Sequence, residues 1–238
     1  MDKWTVLDDK MMTRRFLTSH NPVLVSLEVQ NLSTATRRGV WTIQQYCSLV
    51  RMIIEYLGRA SRMIPVPAVQ DELARNIAEE QGSRTNGVPH RELLARLFRD
   101  ELDVEAFAPW SDSTLVFHLA ILKEFNLQKN PEFIAGMIYA LEASASPELL
   151  VVSRIINSFA GYEVINHRKV RAWKAGREIE NLEDFIGSHV VDFEAGHKQG
   201  LCEALNSFVS ADWPTFEKGF DFMLDQMAVW WEALSRWE

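Results

Sequence analysis

Two of the chain's histidines, His189 and His197, flank a glutamate within one short stretch. Glu194-Ala195-Gly196-His197 is a Glu-x-x-His motif, which sets a carboxylate and an imidazole about 60° apart on a helix. Upstream, Asn76-Ile77-Ala78-Glu79-Glu80-Gln81-Gly82 leads through a loop to His90. Between the two lies Glu142, at the end of the apolar run Gly136-Met137-Ile138-Tyr139-Ala140-Leu141. A carboxylate among such neighbours needs a partner or a metal. Carboxylates bridge metal ions and balance their charge, and imidazoles add neutral nitrogen donors. Together they are the donor set of oxygen-activating iron in helical bundles. The ferritin-like version requires two Glu-x-x-His motifs. This chain has one, so that arrangement is disfavoured.

Other chemistries lack their signatures. There is no Gly-x-x-x-x-Gly-Lys-Ser/Thr loop, no Gly-x-Gly-x-x-Gly fingerprint, no Gly-x-Ser-x-Gly elbow and no His-Glu-x-x-His. The two cysteines, Cys47 and Cys202, form no Cys-x-x-Cys pair, and Cys47 falls inside an apolar stripe where a thiol behaves as a small hydrophobe.

The elements that must position these groups read as helices. Val40, Ile43, Cys47, Val50, Ile54 and Leu57 recur in steps of three and four across Thr36–Met63, and Pro65 and Pro67 end that run. Asn21-Pro22 starts a helix within Arg14–Gln30, and Ser33 or Thr34 caps the one that follows. Asp71–Gln81 is stopped by Gly82, and Ser83–Val88 is a polar loop with Asn86-Gly87. Pro89 opens Pro89–Arg99, and Asp112 or Ser113 caps a helix to about Phe125. Asn130-Pro131 starts a helix through Ala143, and Pro147 starts the next, toward Asn166. Leu182–Ser207 and Pro214–Trp237 complete the series. With sparse Gly and Pro, no repeat and no linker, the expectation is an all-α, single-domain helical bundle over residues 1–238.

In order, these segments resemble the haem-oxygenase-like diiron oxidases. Asn-x-x-Glu-Glu-x-Gly followed by His90 is similar to their first ligand segment. The Ala-Leu-Glu helix ending at Glu142 is similar to the second, and Phe185-x-x-x-His189…Glu194-x-x-His197 to the third. His20-Asn21-Pro22, Leu32-Ser33, Gln45-Tyr46 and Arg51 also resemble the start of that superfamily, so the likeness covers about residues 20 to 210. The superfamily includes TenA-like and PqqC-like proteins and the chlamydial protein associating with death domains. Carried over position by position, the resemblance implies Glu80, His90, Glu142, His189, Glu194 and His197 as metal ligands. Glu80 is preferred to Glu79 as the second acidic residue before x-Gly. It also implies two ferrous ions per chain, O2 as co-substrate and a small organic substrate.

The third helix departs from the family pattern. There the histidines stand seven residues apart; here they stand eight apart. On a regular helix His189 and Glu194 would diverge by about 140°. A one-residue π-bulge between them restores the facing. The alternatives are that Asp192 replaces Glu194, or that His189 is not a ligand. Tyr46, Tyr139 and Tyr162 are secondary candidates for the pocket wall, since some family members use tyrosines near the irons.

The formal net charge of −8 and the absence of a basic tail speak against nucleic acid. No apolar run approaches the roughly 20 residues that span a bilayer, and Met1–Lys10 lacks a signal core. The expected compartment is the cytoplasm, and a homodimer is compatible with the fold. His118 reads as a core histidine, His20 as a helix-flanking residue, and the basic run from His167 to Arg177 as a solvated face. Two rivals stand beside the oxidase. One is a metal-free TenA- or PqqC-like enzyme of the same fold. The other is a helical interaction module whose glutamates are solvated.

Overall fold

Asparagine, serine and proline set most of the helix starts. The computed structural model describes residues 2–237. Its order is α1 (Lys3–Met12), a 3-10 turn at Arg15–Leu17, α2 (Pro22–Glu28), α3 (Leu32–Met63), α4 (Pro67–Glu80), α5 (His90–Leu102), α6 (Asp112–Leu127), α7 (Pro131–Ala160), α8 (His167–Arg171), α9 (Leu182–Ser188), a π segment (His189–Phe193), α10 (Glu194–Leu205) and α11 (Trp213–Arg236). Among the described residues every regular element is a helix, so the protein is an all-α bundle.

Asn21, Asn31, Ser111, Asn130, Asn166, Asn181 and Asp212 each accept a backbone N–H of the first turn, answering donors that a helix start leaves unpaired. Two of these differ from the sequence expectation. Asn31 rather than Ser33 or Thr34 caps α3, and Ser111 rather than Asp112 or Ser113 caps α6. Gly82 stops α4 with φ +98°, and the loop after it turns through Asn86 at φ 54° and Gly87 at φ 77°. These left-handed conformations favour Gly and Asn.

The expected break before Pro147 does not occur. α7 runs unbroken from Pro131 to Ala160 with Pro147 inside it. Proline forfeits the hydrogen bond to the Ala143 carbonyl. Burial all round holds the helix together, because Leu141, Leu149, Val151, Val152, Ile155 and Ile156 are all enclosed. α7 is the central helix, packed by α3, α10 and α11. By length and composition it could cross a membrane, but 78% of its most apolar window is buried inside the protein.

α7 and α11 approach backbone to backbone. A Cβ on Gly136 would collide with the Phe216 carbonyl, and a Cβ on Gly219 with the Phe133 carbonyl. α1 and α8 were not anticipated. α1 buries Trp4, Leu7 and Met11, a helical stripe hidden in a charged stretch. α8 is a single short turn of the basic run, anchored by Val170. At the C-terminus Trp230 and Trp231 are core residues, whereas Trp237 is partly exposed.

Candidate metal centre

Four stretches of chain bring the chemistry together against α7. α4 ends on Glu79 and Glu80, and α5 begins on His90. α7 supplies Glu142, and the α9–π–α10 rod supplies His189, Glu194 and His197. α10 packs on both α4 and α7, which closes the ring of elements.

The rod shows how the eight-residue histidine spacing works. The chain runs from α9 into α10 without a break, but His189–Phe193 is wound as a π segment. The wider turn absorbs one extra residue. His189 and Glu194 therefore line the same cavity despite their five-residue separation. Asp192 takes the other side. Its carboxylate accepts from Arg84 at 2.6 Å, away from the cluster.

All six expected residues come together. One ligand atom each of Glu80, Glu194 and His197 lie within 4.8 Å of one another. His90 Nδ1 is 3.3 Å from Glu80 Oε1 and 3.2 Å from His189 Nε2. His197 Nδ1 is 3.1 Å from Glu142 Oε2 and 3.7 Å from Glu194 Oε2. His90, Glu142, His189 and His197 are buried, and the Glu194 side chain is only 12% exposed.

Outer contacts orient the rings. His189 Nδ1 lies 2.8 Å from the Phe185 carbonyl. A carbonyl only accepts, so Nδ1 carries the proton and Nε2 offers its lone pair. His197 Nε2 is 3.2 Å from Glu79 Oε2. Glu79 in turn accepts from Arg75 at 2.6 Å and from Arg84 at 3.5 Å. Glu80 faces His90, and Glu79 backs His197. Two buried groups lack any protein partner here. They are His90 Nε2 and both side-chain polar atoms of Asn76, one turn before Glu80.

The electrostatics follow from crowding carboxylates in a dry place. Burial raises Glu194 to about 7, and its hydrogen bond with His197 only partly offsets that. Burial opposes charge on His197, but its hydrogen bonds to Glu142, Glu194 and Glu79 win and lift it far above the usual histidine range. Burial would also raise Glu79. The contacts with His197, Arg75 and Arg84 outweigh it and hold the carboxyl at about 2. Burial, aided by neighbouring His90, depresses His189, which keeps its imidazole neutral. The raised proton affinities of Glu194 and His197 come from carboxylates crowded in a dry place, and a bound cation would displace those protons, because metal ligands bind deprotonated.

Glu80, His90, Glu142, His189 and Glu194 line a cavity of about 80 Å³. Its remaining walls are mostly apolar, including Leu49, Val50, Ile53, Leu94, Leu149 and Phe185. Tyr46 is part of that wall. The other two tyrosine candidates are not. Tyr139 is packed among Trp4, Phe216 and Phe220, and Tyr162 is 61% exposed. His118 is a core residue bonded to Ser48 and Tyr56. Cys47 is fully buried, with its thiol pushed up to about 12 by burial.

Two participants escaped the sequence reading. In the sequence Glu79 stands only as the alternative to Glu80, and nothing in its spacing marks it as the backing group of His197. Glu148 lines the cavity and is buried, with its carboxylate accepting from Trp231 Nε1 at 2.5 Å. Its signal was readable. Leu141, Ala145 and Glu148 follow helical spacing, but a helix start at Pro147 would have put Glu148 in a solvated first turn.

Comparison with known proteins agrees with this architecture. Residues 12–237 match the family described as a domain of unknown function with solved structure, DUF3865. Two crystal structures of a CADD-like protein of unknown function from Nostoc punctiforme are similar to this chain. The 2.00 Å structure gives a TM-score of 0.81 at 24% identity, covering 98% of this chain and 97% of that one. The 1.35 Å structure gives 0.78 at 23%, covering 98% and 95%. At that identity the likeness concerns the fold. No curated protein matches the chain.

Proposed function

The chain belongs to the DUF3865 family, and from that footing we propose that it is an iron-dependent oxidoreductase of the haem-oxygenase-like diiron type acting on a small organic substrate. One observation carries the reading. Three carboxylates and three imidazoles, drawn from four separate stretches of sequence, converge in one largely buried cluster beside an apolar cavity. Burying that many ionisable groups without a cation is costly, because each charge leaves water and the carboxylates repel one another.

The donor set fits iron. Glu80, Glu142 and Glu194 would hold two ferrous ions with His90, His189 and His197. Carboxylate and imidazole ligands around open positions suit non-haem iron that activates oxygen. Bound there, the iron would supply the electrons that reduce O2 and make it reactive toward an organic substrate. The chain's own residues do the rest. Phe185 and Glu79 fix the tautomers and orientations of His189 and His197, the role outer hydrogen bonds play at metal sites. Leu49, Val50, Ile53, Leu94 and Leu149 exclude bulk water and shape the space for substrate.

The burial of Glu142, at 3% exposure, argues against an interaction module with solvated glutamates. Glu142→Ala tests the proposal. The variant should fail to retain iron after loading and desalting while keeping its helical circular dichroism. Undiminished iron in Glu142→Ala would remove the basis of the assignment.

A further inference from the structure

Glu148 is the one carboxylate of the cavity that the ligand set leaves unused. It stands six residues past Glu142 on α7, about 9 Å along the helix axis at ~1.5 Å per residue. It is 1% exposed, and among the described residues only Trp231 hydrogen-bonds it, at Oε1. No hydrogen bond to Oε2 is present among the described residues, and Glu148 lines the cavity. Tyr46 lines the same cavity, with its ring centroid 6.0 Å from that of Trp231. Around these two polar groups the wall is aliphatic, and no lysine or arginine lines the cavity.

We propose that Glu148 and Tyr46 form a receptor for a primary ammonium group, so that the substrate class is a small apolar amine bound with its nitrogen at Glu148 and its hydrocarbon body toward the metal cluster. The inference rests on the cavity being the substrate site of the oxidase. A buried carboxylate is stable when a cation pairs with it, and the chain itself provides none here. A substrate carboxylate at this end would meet Glu148 and no lysine or arginine. An ammonium meets a carboxylate oxygen and an aromatic ring, whose face attracts cations. The cavity's size sets the body. About 80 Å³ accommodates roughly five to eight water-sized groups, which suits a short chain or single ring rather than a long lipid. Without a ligand, burial, only partly offset by the Trp231 bond, raises the Glu148 carboxyl to about 8. The amine, a stronger base, would take that proton and leave the ion pair.

The test is a ligand series of one length and three heads: n-hexylamine, n-hexanol and hexanoate. Binding to the iron-loaded chain and to Glu148→Gln is measured by calorimetry, with iron content determined on the same samples. The proposal expects hexylamine to bind the unaltered chain at least tenfold more tightly than either analogue. It also expects Glu148→Gln to lose at least tenfold of that affinity with its iron unchanged. Equal or tighter binding of hexanol or hexanoate by the unaltered chain overturns it, even if the variant does not fold. Undiminished amine affinity in a folded Glu148→Gln overturns it as well. If neither protein retains iron while the Glu148-dependent amine preference persists, the oxidase reading fails and the amine receptor stands.

Discussion

Glu79 Oε2 lies 3.2 Å from His197 Nε2, and the other nitrogen of that ring faces Glu142 at 3.1 Å. The imidazole is thus held between a carboxylate that Arg75 and Arg84 anchor from outside and a carboxylate of the cluster itself. Such a relay fixes ring orientation and strengthens the imidazole as a donor.

Replacing Glu79 by Gln should therefore weaken iron binding without abolishing it. Losing an outer partner of a ligating histidine costs about 10–100-fold in metal affinity. Competition against a chelator of known affinity measures this. An unchanged affinity would mean that Glu79 serves only its arginines.

The π segment makes a sharper prediction. Deleting Val191, the exposed residue of that segment, gives a His-x-x-x-Glu-x-x-His order that a regular α-helix presents on one face. The deletion variant should retain iron to within a few-fold. Loss of iron by a folded variant would show that the wide turn does more than restore the register.

Glu79 and the π segment differ in how far they were legible in the sequence. The all-helical class followed from periodicity and from caps such as Asn21 and Asn130. The eight-residue spacing of His189 and His197 left open a π-bulge, a ligand role for Asp192 or a non-ligating His189, and a π segment spans His189–Phe193. Pro147 misled, because local propensity favours a break there, while enclosure by α3, α10 and α11 keeps the helix whole. That error also hid Glu148. The role of Glu79 depends on which way α10 turns His197, and no local pattern encodes that. α1 was missed because three apolar residues, Trp4, Leu7 and Met11, stand among charges.

The crossing of α7 and α11 yields a stability prediction. Alanine normally stabilises a helix relative to glycine, by about 1 kcal/mol. At Gly136 and Gly219 the added methyl would strike a backbone carbonyl of the facing helix, and a carbonyl cannot rotate aside. Gly136→Ala and Gly219→Ala should each destabilise the fold by about 1–3 kcal/mol, read from denaturant unfolding. A stabilising alanine at either position would contradict the close approach.

His118 should give the protein part of its acid sensitivity. Burial, aided by Arg51, lowers its imidazole to about 4, and it is bonded to Ser48 at 2.9 Å and Tyr56 at 2.5 Å. With its folded-state value below the ordinary 6.5, the unfolded chain takes up the proton first. Stability is then lost as pH falls from about 6.5 to about 4, by at most about 3 kcal/mol. Unfolding free energies at pH 7 and pH 4.5 should differ less in His118→Gln than in the unaltered chain. An identical difference would assign the acid sensitivity to other groups.

On the function proposed above, the cluster of Glu80, Glu142, Glu194, His90, His189 and His197 binds two irons that react with oxygen. The direct measurement is to load the chain anaerobically with ferrous iron, remove the excess, quantify the metal, and then admit oxygen while recording the visible spectrum. Close to two irons per chain and a transient absorption band after oxygen is admitted are expected. A chain that retains no iron and shows no spectral change would contradict that function.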